Sequence, residues 1–495
     1  MTKYVSTRNK KSALYAHEAI IRGLSEDGGL YTPLAMDIHI DPAELLDLTY
    51  QQQASRIIGA FFDDYTPAEI EQCTKGAYDE KFDTEEIVPL RKFDGGWLMD
   101  LWHGPTSAFK DIALTILPRL LSTAYQKENR DDTIAILTAT SGDTGKAALS
   151  GFADVPNTAI TVFYPEIGVS EIQKLQMQTS TGKNVDVIAV RGNFDDCQRM
   201  VKEAVSSPLV LSACRHVTIS SANSINIGRL IPQTVYYFHA YTELVKQGVI
   251  QCGETVSFAV PTGNFGDILA GYLAYAAGLP VSRLITASNS NNVLTDFIRT
   301  GTYDARRPFH TTMSPSMDIL ISSNLERLLF LLSEGDDAYT AALMKQLQEE
   351  GSYTINDELR QKIQQRFAAY WTDEEDCASE IRRMYEENGI LIDPHTAVAV
   401  HAMREYQSGS GDERPCVVLS TASPYKFSRD VYRSLSGETE HDDLAAMHKL
   451  HQLTQVKIPD NLARLHELPI RFRRSIEVQD GMKTIAAKME ELSHD

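Results

Sequence analysis

The sequence predicts an α/β protein whose parallel sheets are covered by helices on both faces. Three observations predict it. Short apolar runs rich in Ile and Val recur at 133–137, 159–163, 185–190, 255–260 and 416–419. Stretches of amphipathic helical pattern separate them, and parallel strands need such crossovers, which bury both sheet faces. Glycine-rich turns follow the runs at 133–137 and 255–260, and ligands bind such folds at the carboxyl ends of strands.

Residues 1–90 read as a small N-terminal domain. Helical periodicity over 16–24 runs into Ser25-Glu26-Asp27-Gly28-Gly29-Leu30-Tyr31-Thr32-Pro33, whose glycines and proline stop a helix. Acidic helix-forming segments fill 42–87. Residues 91–435 form the core, expected as two α/β subdomains. Within it, the segment after Asn223 opens a long helix over 230–249, and 333–388 is charged and helical, as in Leu343-Met344-Lys345-Gln346-Leu347-Gln348-Glu349-Glu350. That segment predicts a helical insertion with a solvated face. Residues 436–495 predict a packed helical tail, and the three histidines within 441–451 have no companion metal ligands.

Composition narrows the function. The chain has 495 residues, 43% hydrophobic and 23% charged, with a formal net charge of −20. That balance argues against nucleic acid as a partner, which needs a basic face. An anionic substrate must then be captured by a local cluster of donors. Cysteines 73, 197, 214, 252, 377 and 416 form no CxxC pair and read as reduced thiols, neither a disulfide framework nor a metal site. The opening residues lack the apolar run of a signal peptide, and no apolar stretch reaches the roughly 18 residues of a membrane span. The expected compartment is the cytoplasm.

One stretch stands apart. His103-Gly104-Pro105-Thr106-Ser107-Ala108-Phe109-Lys110-Asp111 places a lysine after a stiff Gly-Pro turn, at the start of a helix. A lysine held near apolar groups favours its neutral amine, the form that adds to a carbonyl. Three further loops could bind anions or cap helices. Thr140-Ser141-Gly142-Asp143-Thr144-Gly145 exposes amides at a helix start, and Pro261-Thr262-Gly263-Asn264-Phe265-Gly266-Asp267 does the same. No GK[ST] follows the second, which disfavours nucleotide hydrolysis. Ser221-Ala222-Asn223-Ser224-Ile225-Asn226-Ile227-Gly228-Arg229 adds amide, hydroxyl and guanidinium donors. Taken singly, each is equally a turn with a cap.

Together these motifs resemble one family. HGPTxxFKD resembles the cofactor-lysine motif of threonine synthases, pyridoxal-phosphate enzymes of fold type II (tryptophan synthase β-like). Ser6-Thr7-Arg8, followed by GLxxDGGLYxP, resembles their small N-terminal domain, and NSxNxxR at 223–229 resembles their substrate-phosphate motif. The resemblance implies two parallel-sheet domains. It makes Lys110 the catalytic residue that holds pyridoxal 5'-phosphate as a Schiff base, with Phe109 beside it. Gly263, Asn264, Phe265, Gly266 and Asp267 would seat the cofactor phosphate. Asp143 would border the ring, its hydrogen bond to the phenolic oxygen depending on protonation, and Thr421 would face the pyridine nitrogen. Ser141, Thr144, Asn223, Ser224 and Arg229 would hold the substrate.

The implied reaction is O-phospho-L-homoserine plus water to L-threonine and phosphate, by γ-elimination and β-addition of water. Alternatives are a phospho-lyase giving 2-oxobutyrate and a non-catalytic metabolite-binding homologue. The partner is then a small molecule, with the chain a monomer or homodimer. The family usually has His where this chain has Ser423. Segments 287–292, 314–327 and 393–397, which hold Asp318 and His395, also resemble the family, with no role carried over.

Overall fold

The structure is a computed structural model; it describes residues 1–493 apart from Ser141 and Gly168, with Asp195 described by its backbone alone. Two sheets carry the core. In the first, strands Phe367–Trp371, Val281–Ser288, Val256–Pro261, Cys416–Ser420, Gly96–Asp100 and Leu90–Phe93 lie side by side. All neighbours are parallel except the last pair, a hairpin closed by Asp94-Gly95. In the second, Ser475–Glu477, Val185–Arg191, Thr158–Pro165, Thr133–Ala139 and Val217–Ser220 are parallel throughout. The strands Thr158–Pro165 and Val256–Pro261 are buried along their whole length. That is what continuous apolar runs demand of strands with both faces covered.

Several segments hold more than the helices expected of them. Residues 333–388 are chiefly helical, with Asp337–Glu350, Asp357–Arg366 and Glu374–Asn388, but they also supply the edge strand Phe367–Trp371. Phe367 and Ala369 are buried while their neighbours are half-buried, the alternation of an edge position. The tail 436–495 likewise adds Ser475–Glu477 to the second sheet beside its helices Asp443–Thr454 and Gly481–Leu492. The helix expected over 230–249 is interrupted. Ile227–Leu230 passes through a tight turn, Ile231–Gln233, into Thr234–Lys246, because Pro232 has no amide hydrogen to continue the ladder. The first residues form a three-stranded antiparallel sheet of Asn9–Leu14, Tyr4–Ser6 and Tyr31–Pro33. Its strands are too short to show a period. No described helix is long and apolar enough to cross a membrane.

The two sheets aim their strand ends at one region. Thr133–Ala139 leads into helix Asp143–Phe152, Val256–Pro261 into helix Gly266–Ala276, and Cys416–Ser420 into the turn Pro424–Phe427. Gly96–Asp100 leads into the loop before helix Lys110–Leu114. Helix Asp143–Phe152 crosses Lys110–Leu114 at Gly151, where an added Cβ would overlap the Leu114 carbonyl. This close crossing fixes Lys110 relative to Asp143. Gly151→Ala should therefore destabilise the fold by about 1–3 kcal/mol, the usual cost of overpacking. Its urea midpoint checks this, and an unchanged midpoint would show that the crossing can relax.

Candidate active site

The loop 103–111 is held from three sides. The buried Asp111 carboxylate accepts hydrogen bonds from the Thr106 amide (2.8 Å) and hydroxyl (2.6 Å), closing the turn on itself. Ser107 sits at φ 57°, a left-handed conformation that costs a non-glycine residue about 1 kcal/mol and needs outside support. That support is a short antiparallel bridge. The Phe109 amide donates to the Thr421 carbonyl (2.8 Å) and the Ser423 amide donates to the Ser107 carbonyl (3.1 Å). From the tail, Asn461 Nδ2 donates to the Pro105 carbonyl at 2.9 Å.

Lys110 emerges from this frame with its side chain 13% exposed, Nζ 4.6 Å from the Phe109 ring centroid and 3.9 Å from Asp143 Oδ2. Burial pushes its pKa down; Asp143 opposes that, while Lys426 and Arg229 reinforce it. The balance shifts it toward the neutral amine, the form that attacks a carbonyl.

Asp143 opens its helix as a buried carboxylate. Burial alone would raise its pKa, but the charges of Lys426 and Lys110, with hydrogen bonds from Lys426 and Gln173, hold it below the usual carboxylate range. Lys426 Nζ lies 2.7 Å from Asp143 Oδ1, and Gln173 Nε2 donates to the same oxygen at 2.9 Å. Oδ1 of Asp143 is thus an acceptor for two donors. Thr144, half-buried in the same first turn, has no hydroxyl partner among the described residues. Ser141 lies outside the described residues.

The loop 262–267 has the form of an anion seat. Phe265 adopts a left-handed conformation at φ 60° as N-cap of Gly266–Ala276, and its ring packs 5.7 Å from that of Phe367. The amides of Asn264, Phe265, Gly266 and Asp267 find no acceptor among the described residues. Open amides at the start of an 11-residue helix attract a phosphate. Neither glycine is left-handed. A Cβ on Gly263 would stand 2.7 Å from the Ser316 carbonyl oxygen, whereas one on Gly266 would meet only Asn324 Nδ2 at 3.4 Å. Asp267 accepts from the hydroxyls of Tyr236 (2.5 Å) and Tyr237 (3.1 Å) through Oδ1, and its buried Oδ2 has no partner. Burial raises its pKa to about 6, against the pull of the two tyrosines and Lys110.

A second anion seat surrounds Arg229. Its guanidinium is buried, donates through Nη1 to the Ala222 carbonyl at 2.9 Å, and leaves Nε without a partner. No carboxylate pairs with it among the described residues, and burial lowers its pKa to about 10. Asn223 and Ser224 are half-buried on the turn just before it. Arg229 lies close enough to Lys110 for its charge to lower the lysine's pKa.

Several residues act as supports. Arg327, fully buried, donates to the carbonyls of Tyr31 (2.9 Å) and Ile225, joining the N-terminal domain to the Arg229 loop. Beside it Glu326 takes two hydrogen bonds of 2.8 Å from Arg8. His395 donates to Asp393 (2.7 Å) and accepts from the Ser316 amide (3.1 Å), so it holds the segment that faces Gly263. Asp318 closes a polar knot with Thr312, Asn289 and Asn291. Ser423 caps the turn Pro424–Phe427 and lends its amide to the lysine loop. The sequence marks neither Lys426 nor Gln173 as a site residue. The only sequence signal for Lys426 is a lysine beside aromatic residues just past the apolar run at 416–419.

A reactive lysine, an open phosphate seat and a second cationic seat at the ends of two parallel sheets fit pyridoxal phosphate and a phosphorylated ligand. The comparisons agree. A family described as "Pyridoxal-phosphate dependent enzyme" matches residues 85–350, flanked by "Threonine synthase N terminus" over 3–78 and "Threonine synthase, C-terminal" over 396–485. The chain is thus a fold type II pyridoxal-phosphate enzyme. A threonine synthase of Pseudomonas aeruginosa is 39% identical over 440 residues, covering 88% of this chain and 91% of the relative. "Threonine synthase-like 1" of Homo sapiens is 38% identical over 455 residues, covering 87% of this chain but only 60% of the longer relative. The crystal structure of PLP-bound threonine synthase from Brucella melitensis superposes with a TM-score of 0.88 at 33% identity and covers all of both chains. The chain belongs to the threonine synthase family.

The two glycines at the phosphate seat should separate in their effects. Gly263→Ala should lower both apoprotein stability and cofactor retention, because its Cβ meets backbone. Gly266→Ala should leave the apoprotein melting temperature within a degree or two and weaken cofactor retention alone, since its methyl enters the space an anion would occupy. Melting curves and dialysis against free cofactor measure the pair; retention unchanged from the parent in both variants would make the loop a plain turn.

Proposed function

We propose that this protein is a threonine synthase converting O-phospho-L-homoserine and water to L-threonine and phosphate. The observation that carries the substrate is Arg229, a buried guanidinium with an open Nε and no carboxylate partner among the described residues. A buried charge without a counter-charge is costly, and a phosphate ester supplies what is missing. Pyridoxal phosphate, when bound, draws electrons from the carbons next to a captured amino group and so lets their protons leave. Lys110 would hold the cofactor, exchange it for the substrate amine and carry the proton from Cα. Asn223, Ser224, Thr144 and Arg229 would grip the phosphate until it departs, and Thr421 would face the ring nitrogen. The active species would be a monomer or homodimer. Six free cysteines, of which Cys252 alone is exposed, suit a reducing compartment such as the cytoplasm.

Borohydride reduction followed by peptide mapping should place the pyridoxyl group on Lys110, and a label on another lysine would sink the assignment. Arg229→Ala should lower kcat/KM for O-phosphohomoserine by about 10–100-fold, the equivalent of one charge-assisted hydrogen bond or two. Inorganic phosphate should inhibit that variant less, and Arg229→Lys should recover only part of the loss, because a point charge lacks the two-pronged geometry. Loss of cofactor with unchanged phosphate inhibition would mean that the two seats are exchanged. Threonine in the product assay supports the reading; 2-oxobutyrate would make the enzyme a lyase on the same substrate.

A further inference from the structure

We propose that Lys426 is a positioning residue: by pairing with Asp143 it keeps that side chain a carboxylate directed at Lys110 Nζ, where it holds the proton of the cofactor-bound nitrogen. The inference rests on the proposed cofactor linkage at Lys110. Three observations carry it. The Lys426 side chain is 0% exposed and that of Asp143 is 4% exposed, so the pair is sealed from water. Asp143 Oδ1 is fully engaged by Lys426 (2.7 Å) and Gln173 (2.9 Å), which leaves Oδ2 for Lys110 at 3.9 Å. Lys426 Nζ also donates to the Thr106 carbonyl at 3.0 Å, inside the loop that carries Lys110. One ammonium thus ties together the lysine loop, the helix start at Asp143 and the turn after strand Cys416–Ser420.

The chemistry depends on which form Asp143 takes. A buried carboxyl that loses its closest cation is driven toward the protonated form, which donates where the carboxylate accepted. It would then no longer steady a proton on Nζ. Other charged groups around the pair are Asp111 on the lysine loop, Lys146 on the Asp143 helix, Arg229, and Asp267 across the cleft. Lys426 itself opposes a proton on Nζ, but the carboxylate has the larger effect on Lys110. Removing Lys426 therefore removes a small repulsion and, through protonation of Asp143, a larger attraction.

The test uses the full-length, cofactor-loaded enzyme. In Lys426→Met, spectrophotometric titration of the visible cofactor band should show Nζ losing its proton about one pH unit lower than in the parent, the size of one such charge effect. Lys426→Arg should restore at least half of the shift. A titration that stays put, or moves upward, would overturn the proposal, because Asp143 would then stay ionised unaided. A second arm needs no cofactor. In the apoprotein, Lys426→Met should melt lower than the double variant Lys426→Met/Asp143→Asn, since one partner of a buried pair is worse alone than absent. Melting losses that simply add would show no pair and would equally overturn the inference. If borohydride labels no pyridoxyl group at Lys110, the cofactor reading fails, while the apoprotein arm still reports on the pair.

Discussion

An excess of buried positive charge governs the cleft. Lys426 and Arg229 are buried and Lys110 nearly so, and Asp143 is the carboxylate that the charges of Lys426 and Lys110 hold below the usual carboxylate range. Asp111 and Asp267 are pushed by burial toward their neutral forms, the latter to a pKa of about 6. Buried charges without counter-charges are unstable, so the interior is incomplete until anions enter it. Two phosphates, one on a cofactor and one on a substrate, would meet that need at two separate seats. The chain as a whole carries −20, so this attraction is local and short-ranged.

Such a cleft needs rigid walls, because point charges misplaced by an ångström lose much of their effect. The walls come from distant parts of the chain. Arg327 couples the strand Tyr31–Pro33 to the turn before Arg229, and Glu326 anchors Arg8 alongside. His395 steadies Ser316 where it faces Gly263. These contacts make the N-terminal domain and the helix Pro394–Ser410 part of the site without touching its chemistry. A shift in the N-terminal sheet would be felt at Arg229 through a single guanidinium.

The sequence shows the central strands and the reactive loops clearly, because a strand buried on both faces must be a continuous apolar run and an anion loop must be small and glycine-rich. The run at 133–137 lies within an observed strand for this reason, and that at 255–260 does so from its second residue on. Edge elements leave no such trace. Phe367–Trp371 is half-exposed and follows a charged helix, and Ser475–Glu477 is three residues long. At the site, Lys110 and Arg229 stand out through their motifs, whereas Lys426 looks like any lysine until the fold encloses it. Gly263 and Gly266 suggest left-handed turns, yet the left-handed residue is Phe265 between them. Its ring has a buried partner in Phe367, far along the chain, and that contact is invisible to local reading.

The loop around Lys110 is braced by residues 421–426 and by Asn461, all made late in synthesis. A ribosome adding roughly 5–20 residues per second leaves Lys110 without these braces for tens of seconds. Through that interval Ser107 has nothing to hold its strained backbone, and the lysine is a solvated amine of ordinary basicity. A prematurely terminated chain would keep it so. The framing that lowers the basicity of Lys110 is in this way complete only when the last tenth of the chain, which holds Asn461, has been translated and docked.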